Sequence, residues 1–297
     1  AVSIAARAEA FSSEIVDPIE GPVRDEPVAP GAVEVPRLAR HEITLADGHL
    51  VGVTVAGEGI PLVVVHGFSA EGFLYAQSLS RLVGMGFRVI AISRPGYLGT
   101  PLRPGNRDPE GQADLAAAVL DELGVERAGV LGWSGAGPMA YSLAALHPAR
   151  VAALALVAAV SRPDDWQPGV MDRLLFDTAA GRFTIRQTLR WLPSTIIDIG
   201  LAAQGNLTNA ERHELLAAVE ADPRRRDFTL DLVAALAAAG SRSAGTANDQ
   251  RVFAELGDLP LAAITTPTLL IHGDADIAVE LADSQFAAQQ ITGARLV

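Results

Sequence analysis

The residues with the clearest chemical potential lie in one short stretch, Gly132-Trp133-Ser134-Gly135-Ala136-Gly137. An apolar run ends at Gly132-Trp133, one serine follows, and a small-residue helical pattern begins at once. A strand that turns directly into a helix leaves room only for small neighbours, and it lifts a serine Oγ clear of the sheet edge. Gly132, Gly135, Ala136 and Gly137 supply those small neighbours around Ser134. The pentapeptide alone is a weak signal, and a serine that merely caps a helix is the plain alternative. Two further stretches favour the chemical reading. His66-Gly67-Phe68-Ser69 follows an apolar run, and Leu270-Ile271-His272-Gly273-Asp274-Ala275-Asp276 follows another. In an open parallel sheet, loops at the carboxyl ends of strands converge on one crevice, where an exposed serine hydroxyl is placed for nucleophilic chemistry.

Those loops need a sheet to converge on one crevice. Residues 41–46 and 50–56 read as two strands joined at Asp47-Gly48. A β/α alternation follows, with strands at 61–66, 88–93, 128–133 and 151–160 and helices at 72–83, 109–123 and 138–146. Continuous Val, Ile, Leu and Ala runs between helices imply a mostly parallel sheet covered on both faces. The rhythm breaks over residues 162–248, where only helical segments are expected (171–180, 185–203, 209–221 and 228–239). It resumes with a strand at 268–272, a helix at 279–290 and the start of a strand at 294–297. Residues 1–40 read as an N-terminal arm: a weak helix over 1–16, then an extended stretch broken by five prolines. The expected organisation is therefore an arm (1–40), an α/β core (41–161 plus 249–297) and a helical insertion (162–248).

Composition narrows the function. The chain has 297 residues, 49% hydrophobic and 20% charged, enough for one large α/β domain with a substantial core. Its formal net charge of −12 disfavours a nucleic-acid partner. All 23 basic residues are arginine, which excludes lysine Schiff-base chemistry. There is no cysteine, so disulfides, thiolate nucleophiles and Cys-ligated metals are excluded. No His/Asp/Glu cluster has metal-ligand spacing, and the glycines near Ser134 do not form a dinucleotide fingerprint. Neither a metal nor another cofactor is expected. No apolar run reaches the roughly 20 residues of a membrane span. The opening stretch lacks a secretory pattern, so a cytoplasmic location is expected, with secretion an open alternative.

With these motifs in place, the chain resembles the α/β-hydrolase family over residues 41–297. Arg94-Pro95-Gly96-Tyr97 is similar to the family's loop after its fourth strand, and Asn248-Asp249 through Pro267-Thr268 extends the match. The resemblance implies a mostly parallel eight-stranded sheet with a helical cap inserted after the sixth strand, the last strand and C-terminal helix being incomplete here. It implies Ser134 as nucleophile on its elbow, backbone N–H donors at Phe68 and Gly135 forming an oxyanion hole, and Asp276 as the triad acid, with Asp274 as the alternative. His66 and His272 are expected to be structural, each bonding a loop carbonyl. Ser93 stands where the family usually has Asp, and Glu280 where Pro is frequent. The family's histidine follows the strand after the acid. This chain ends inside that strand, and none of histidines 41, 49, 66, 147, 213 and 272 stands at that place. The base is expected past Val297, with His213 from the insertion or a pseudoenzyme as alternatives.

The reading is a serine esterase: a carboxylesterase or lactonase acting through an acyl-enzyme on a small apolar ester. C–C bond hydrolysis and cofactor-free perhydrolysis are alternatives on the same fold, and a non-catalytic ligand-binding scaffold is the alternative from another class. Epoxide hydrolase and haloalkane dehalogenase activities fit less well, because such relatives carry Asp where Ser134 stands. Trp166, Phe176, Phe183 and Trp191 are candidates to line an apolar substrate pocket, helix packing being the plainer fate for such residues. The sequence leaves the oligomeric state open.

Overall fold

A computed structural model describes residues 40–68, 79–164, 174–175, 178–237 and 243–297. Its centre is one eight-stranded sheet in the order β1-β2-β4-β3-β5-β6-β7-β8. The strands are β1 (Arg40–Thr44), β2 (Leu50–Ala56), β3 (Ile60–Val65), β4 (Phe87–Ile92), β5 (Ala128–Trp133), β6 (Val151–Val157), β7 (Thr268–Ile271) and β8 (Arg295–Leu296). β2 pairs antiparallel with β1 and β4, and every other neighbouring pair is parallel. The helices are α1 (Arg81–Gly84), α2 (Pro109–Glu122), α3 (Gly137–Leu146), α4 (Ala179–Trp191), α5 (Pro193–Gln204), α6 (Asn209–Ala221), α7 (Pro223–Ala237), α8 (Ser243–Ala254) and α9 (Leu281–Gln290).

Period-two alternation explains why these strands read as continuous apolar runs. Val63, Val65, Ile90 and Ile92 pack into the main core under α2 and α3, while Val64, Val89 and Ala91 pack on the opposite face. Successive side chains of a strand point to opposite faces, so a strand covered on both sides must be apolar throughout. The alanines Ala113, Ala116, Ala140 and Ala144 are fully buried, which lets α2 and α3 sit closely together.

The chain order places the crevice. From β3 the chain moves outward to β4, then crosses back over β3 to form β5 on its other side. Ligand crevices in open α/β sheets form where the strand order reverses, outside the carboxyl ends of the strands. Here that point lies between β3 and β5, whose last residues are in register, Val65 opposite Gly132.

Several expected elements differ in extent. β6 ends at Val157 rather than 160, because Ala158 takes a left-handed φ of 44° and turns the chain out of the sheet. The single helix expected over 185–203 is two, α4 and α5, broken at Leu192-Pro193, since proline cannot continue a helix through its missing N–H. The expected insertion boundary at 248 falls inside α8, which begins at Ser243 and returns the chain to the core. The expected helices at 1–16, over residues 72–78 of 72–83, and over most of 171–180, together with the extended arm, lie outside the described residues.

Between β6 and β7, helices α4 to α7 form a unit with its own small apolar cluster around Ile185, Ile196, Ile197 and Leu230. Among the described residues it is fastened to the core at several places, including Arg81 Nη1 of α1 donating to Arg224 O on α7 (3.1 Å). The end of α5 bridges the loop after β7, with Asn206 N–H donating to Ala275 O (2.7 Å) and Ile277 N–H to Gln204 O (3.0 Å). On the other side, Phe228 of α7 stacks on Trp133, ring centroids 6.2 Å apart and nearly parallel. Leu232 joins the same patch.

Two glycines test the packing. A Cβ at Gly137 would overlap the carbonyl of Val160, whereas one at Gly200, inside α5, would meet nothing within 4 Å. Gly137→Ala is expected to cost about 2–3 kcal/mol by overpacking. Gly200→Ala is expected to add about 0.5–1 kcal/mol by restricting the unfolded chain. Denaturant unfolding midpoints check both signs.

Candidate active site

Ser134 sits where β5 becomes a short 3₁₀ turn (Ser134–Ala136) leading into α3, and its φ is +54°. For a residue with a Cβ, a left-handed backbone costs about 1–2 kcal/mol, so its surroundings must enforce it. They do so by crowding. A Cβ on Gly132 would lie 2.7 Å from Leu156 Cδ2, and one on Gly67 would lie 3.0 Å from Trp133 O. Ala136 is fully buried, so the position accepts a methyl and nothing larger is accommodated without displacement. The Ser134 carbonyl is held by the Val160 N–H (3.0 Å), which ties the elbow to the loop after β6. Ser134 itself remains partly exposed.

The loop after β3 comes up beside the elbow. A Cβ at Gly135 would lie 3.1 Å from the Phe68 nitrogen and 2.7 Å from Phe253 Cζ. The amides of Phe68 and Gly135 are therefore neighbours, as an oxyanion hole requires. The Gly135 amide also opens the turn that leads into α3, where partial positive charge gathers. Phe253, on α8, pairs with the Phe68 ring (centroids 6.4 Å apart) and belongs to an apolar cluster with Val160, Val252, Leu256 and Val279.

Asp276 lies on the loop after β7. That strand is parallel to β6, and the Ala158 N–H donates to Ile271 O (2.8 Å), so one loop after β6 touches both the elbow and the strand before the carboxylate. Asp276 Oδ1 accepts from Ala278 N–H (2.8 Å) and Val279 N–H (3.1 Å). Asp274 is exposed. Asp276 is half-buried and anchored by two amides.

The two strand-end histidines bond loop carbonyls, and their partners fix their tautomers. His66 Nδ1 donates to Gly67 O (2.8 Å) while its Nε2 accepts from the Arg94 N–H (2.9 Å). His272 Nε2 donates to Val279 O (2.9 Å), and its Nδ1 accepts from Ser284 Oγ (2.7 Å). His272 Nε2 is 3.8 Å from Asp276 Oδ2, with its hydrogen directed to the carbonyl. His213 is exposed on α6.

Of the four candidate pocket residues, Trp166 and Phe176 lie outside the described residues. Phe183 and Trp191 are on the outward side of α4, 56% and 67% exposed, opposite the buried Gly181 and Ile185. Trp191 bonds Gln187 and lies under the Arg190 guanidinium. The aromatic residues that approach the elbow are Phe68, Phe253 and the Trp133–Phe228 stack.

Sequence reasoning missed a buried polar cluster behind the loop after β3. Arg94 donates from Nη1 and Nη2 to both carboxylate oxygens of Asp249 (2.6 Å each), from Nε to His66 O (2.9 Å), and from Nη2 to Gly67 O (3.1 Å). Tyr97 Oη donates to Asp249 Oδ2 (2.5 Å). Arg94 and Asp249 are almost wholly buried. Burial pushes the Asp249 carboxyl up, against the pull of Arg94 and Tyr97. Burial also works against the Arg94 charge, and there Asp249 and Tyr97 outweigh it. Each charge depends on the other. A hint of the pair was present, since both residues fall in stretches shared with the family, but 155 positions separate them.

A family description of the alpha/beta hydrolase fold matches residues 60–297. Among solved structures, an alpha/beta hydrolase fold protein from Nakamurella multipartita is 40% identical, covers 87% of this chain and 89% of that one, and has a TM-score of 0.81. A protein of Mycobacterium phage D29, provisionally named a non-heme haloperoxidase, is 41% identical over 123 residues, 41% of this chain and 44% of that protein. The chain spans less than half the length of the first curated relatives it matches. A 2-hydroxy-6-oxononadienedioate/2-hydroxy-6-oxononatrienedioate hydrolase of Cupriavidus pinatubonensis is 26% identical over 243 residues, 79% of this chain and 78% of that one. With the sheet order, the elbow and a match across most of its length in agreement, the chain belongs to the alpha/beta hydrolase fold family.

Proposed function

We propose that the protein is a serine hydrolase that cleaves a small, largely apolar ester or lactone through an acyl-enzyme. The observation that carries this reading is Ser134 in a left-handed turn at a strand–helix junction, beside the amides of Phe68 and Gly135. Ser134 Oγ attacks the carbonyl carbon, and the oxygen that gains charge is held by those two N–H groups. A preorganised donor of this kind contributes about 3–4 kcal/mol to transition-state stabilisation. A general base, read here as an imidazole, takes the serine proton and passes it to the leaving alcohol. Asp276 keeps that ring in the right tautomer. Water then attacks the acyl carbon and regenerates Ser134.

The helices between β6 and β7 act as a cap. Two of their fastenings reach the neighbours of both proposed catalytic residues: Phe228 rests on Trp133, and Asn206 and Gln204 flank Asp276 through Ala275 and Ile277. The apolar Phe68–Phe253 pair suits an uncharged acyl group.

C–C hydrolysis is the second reading, favoured by the Cupriavidus relative, which aligns over most of both chains. Turnover of a simple alkyl ester against that of a dienedioate ketone separates the two.

A fluorophosphonate probe is expected to label the full-length protein on one residue, and Ser134→Ala to abolish the labelling. Intact-mass analysis with peptide mapping reads it. An unlabelled wild-type protein would leave only the binding-scaffold alternative. Asp276→Asn is expected to lower kcat by about 10⁴-fold if the imidazole tautomer is the main loss, measured on p-nitrophenyl acetate.

A further inference from the structure

We propose that Arg94, clamped by Asp249, is the positioning residue for the oxyanion donor at Phe68. The inference rests on the reading of the Phe68 N–H as such a donor and extends it to groups that never touch substrate.

The argument starts from the Gly67–Phe68 peptide. In a trans peptide the C=O and the N–H of one plane point in opposite directions. The Gly67 carbonyl accepts from Arg94 Nη2 (3.1 Å) and from His66 Nδ1 (2.8 Å). The preceding carbonyl, that of His66, accepts from Arg94 Nε (2.9 Å). One guanidinium therefore holds two consecutive carbonyls on the buried side of the loop. Fixing those oxygens fixes the rotation of the plane, and the Phe68 N–H is directed to the other side, beside Gly135. Gly67 has no side chain to hold its own backbone, and a Cβ there would press on Trp133 O. The loop's geometry must be supplied from behind.

The guanidinium is itself immobilised. A planar fork that donates to two carboxylate oxygens and to two carbonyls has no freedom to rotate. Asp249 sits on α8, so that helix sets the fork, while Phe253 on the same helix abuts Phe68. A cation on a peptide's oxygen also polarises its N–H, which strengthens the donor where negative charge develops. The pair thus orients the amide and strengthens it.

Arg94→Lys tests the fork. Lysine keeps the charge beside Asp249 but offers a single point, which cannot reach the carboxylate and both carbonyls together. A role in charge balance alone would be rescued by lysine. The proposal expects kcat on p-nitrophenyl acetate to fall on the order of 10²-fold, with KM within about threefold, because the donor matters in the transition state. In ¹⁵N–¹H spectra of the full-length protein, the Phe68 amide is expected to shift and to exchange at least about tenfold faster. The double variant Arg94→Met/Asp249→Leu guards against misfolding, since it removes both charges and leaves neither one buried alone. It is expected to stay folded and to show the same kcat loss and the same change at Phe68. A folded variant of either kind with wild-type kcat and an unchanged Phe68 amide overturns the proposal. If the wild type turns over no ester, the hydrolase reading fails while the Phe68 resonance still decides the positioning claim.

Discussion

The left-handed backbone at Ser134 is the constraint from which the surrounding structure follows. A side chain there must be exposed to reach a substrate, and its backbone must hold an unfavourable φ of +54°. Close packing that only small neighbours permit surrounds it. Gly132 lies against Leu156, Gly67 against the Trp133 carbonyl, Gly135 against Phe253, and Gly137 against the loop after β6. Each contact leaves no room for a larger side chain. Strained positions of this kind persist only where neighbours over-determine them, and here those neighbours come from β3, β6, α3 and α8. The sheet provides the platform: β3 and β5 are adjacent because the strand order reverses between them, so the two loops that flank the elbow rise side by side.

The helical insertion depends on the same platform. Its core around Ile197 and Leu230 is small, so much of its placement comes from contacts with the sheet. The aromatic stack of Phe228 on Trp133 sits one residue before Ser134, and the backbone bridges from Gln204 and Asn206 flank Asp276. A displacement of the insertion would therefore be felt at both ends of the proposed catalytic arrangement.

Much of this was legible in the sequence because it is local. The elbow is a run of small residues around one serine, the parallel strands are apolar runs, and α6 follows its helical pattern over Asn209–Ala221 as expected. The strand-end histidines show their structural role through the glycines that follow them. Legibility failed where side chains far apart in the chain determine the outcome. Nothing local marks Asp249 as the partner of Arg94, 155 positions away. Phe183 and Trp191 stand exposed on α4, whose buried residues are Gly181 and Ile185. Aromatic content alone does not say which face of a helix is covered.

The buried pair explains a feature that packing alone would not. Replacing an ion pair by apolar residues of similar size is often neutral or stabilising, so Arg94 and Asp249 need a reason beyond stability. Apolar side chains cannot hold a peptide plane, because dispersion is nearly indifferent to its rotation, whereas hydrogen bonds to its oxygen are directional. In the proposed role, the loop after β3 presents an amide without a side chain at Gly67 to anchor it. A forked cation behind the loop meets that need, and a carboxylate on α8 makes the cation's burial tolerable. Tyr97 satisfies a further lone pair of that carboxylate, and its ring packs edge-on against His66, 4.6 Å between centroids. On the proposed reading, the polar cluster serves the elbow by holding the opposing amide from the protein interior.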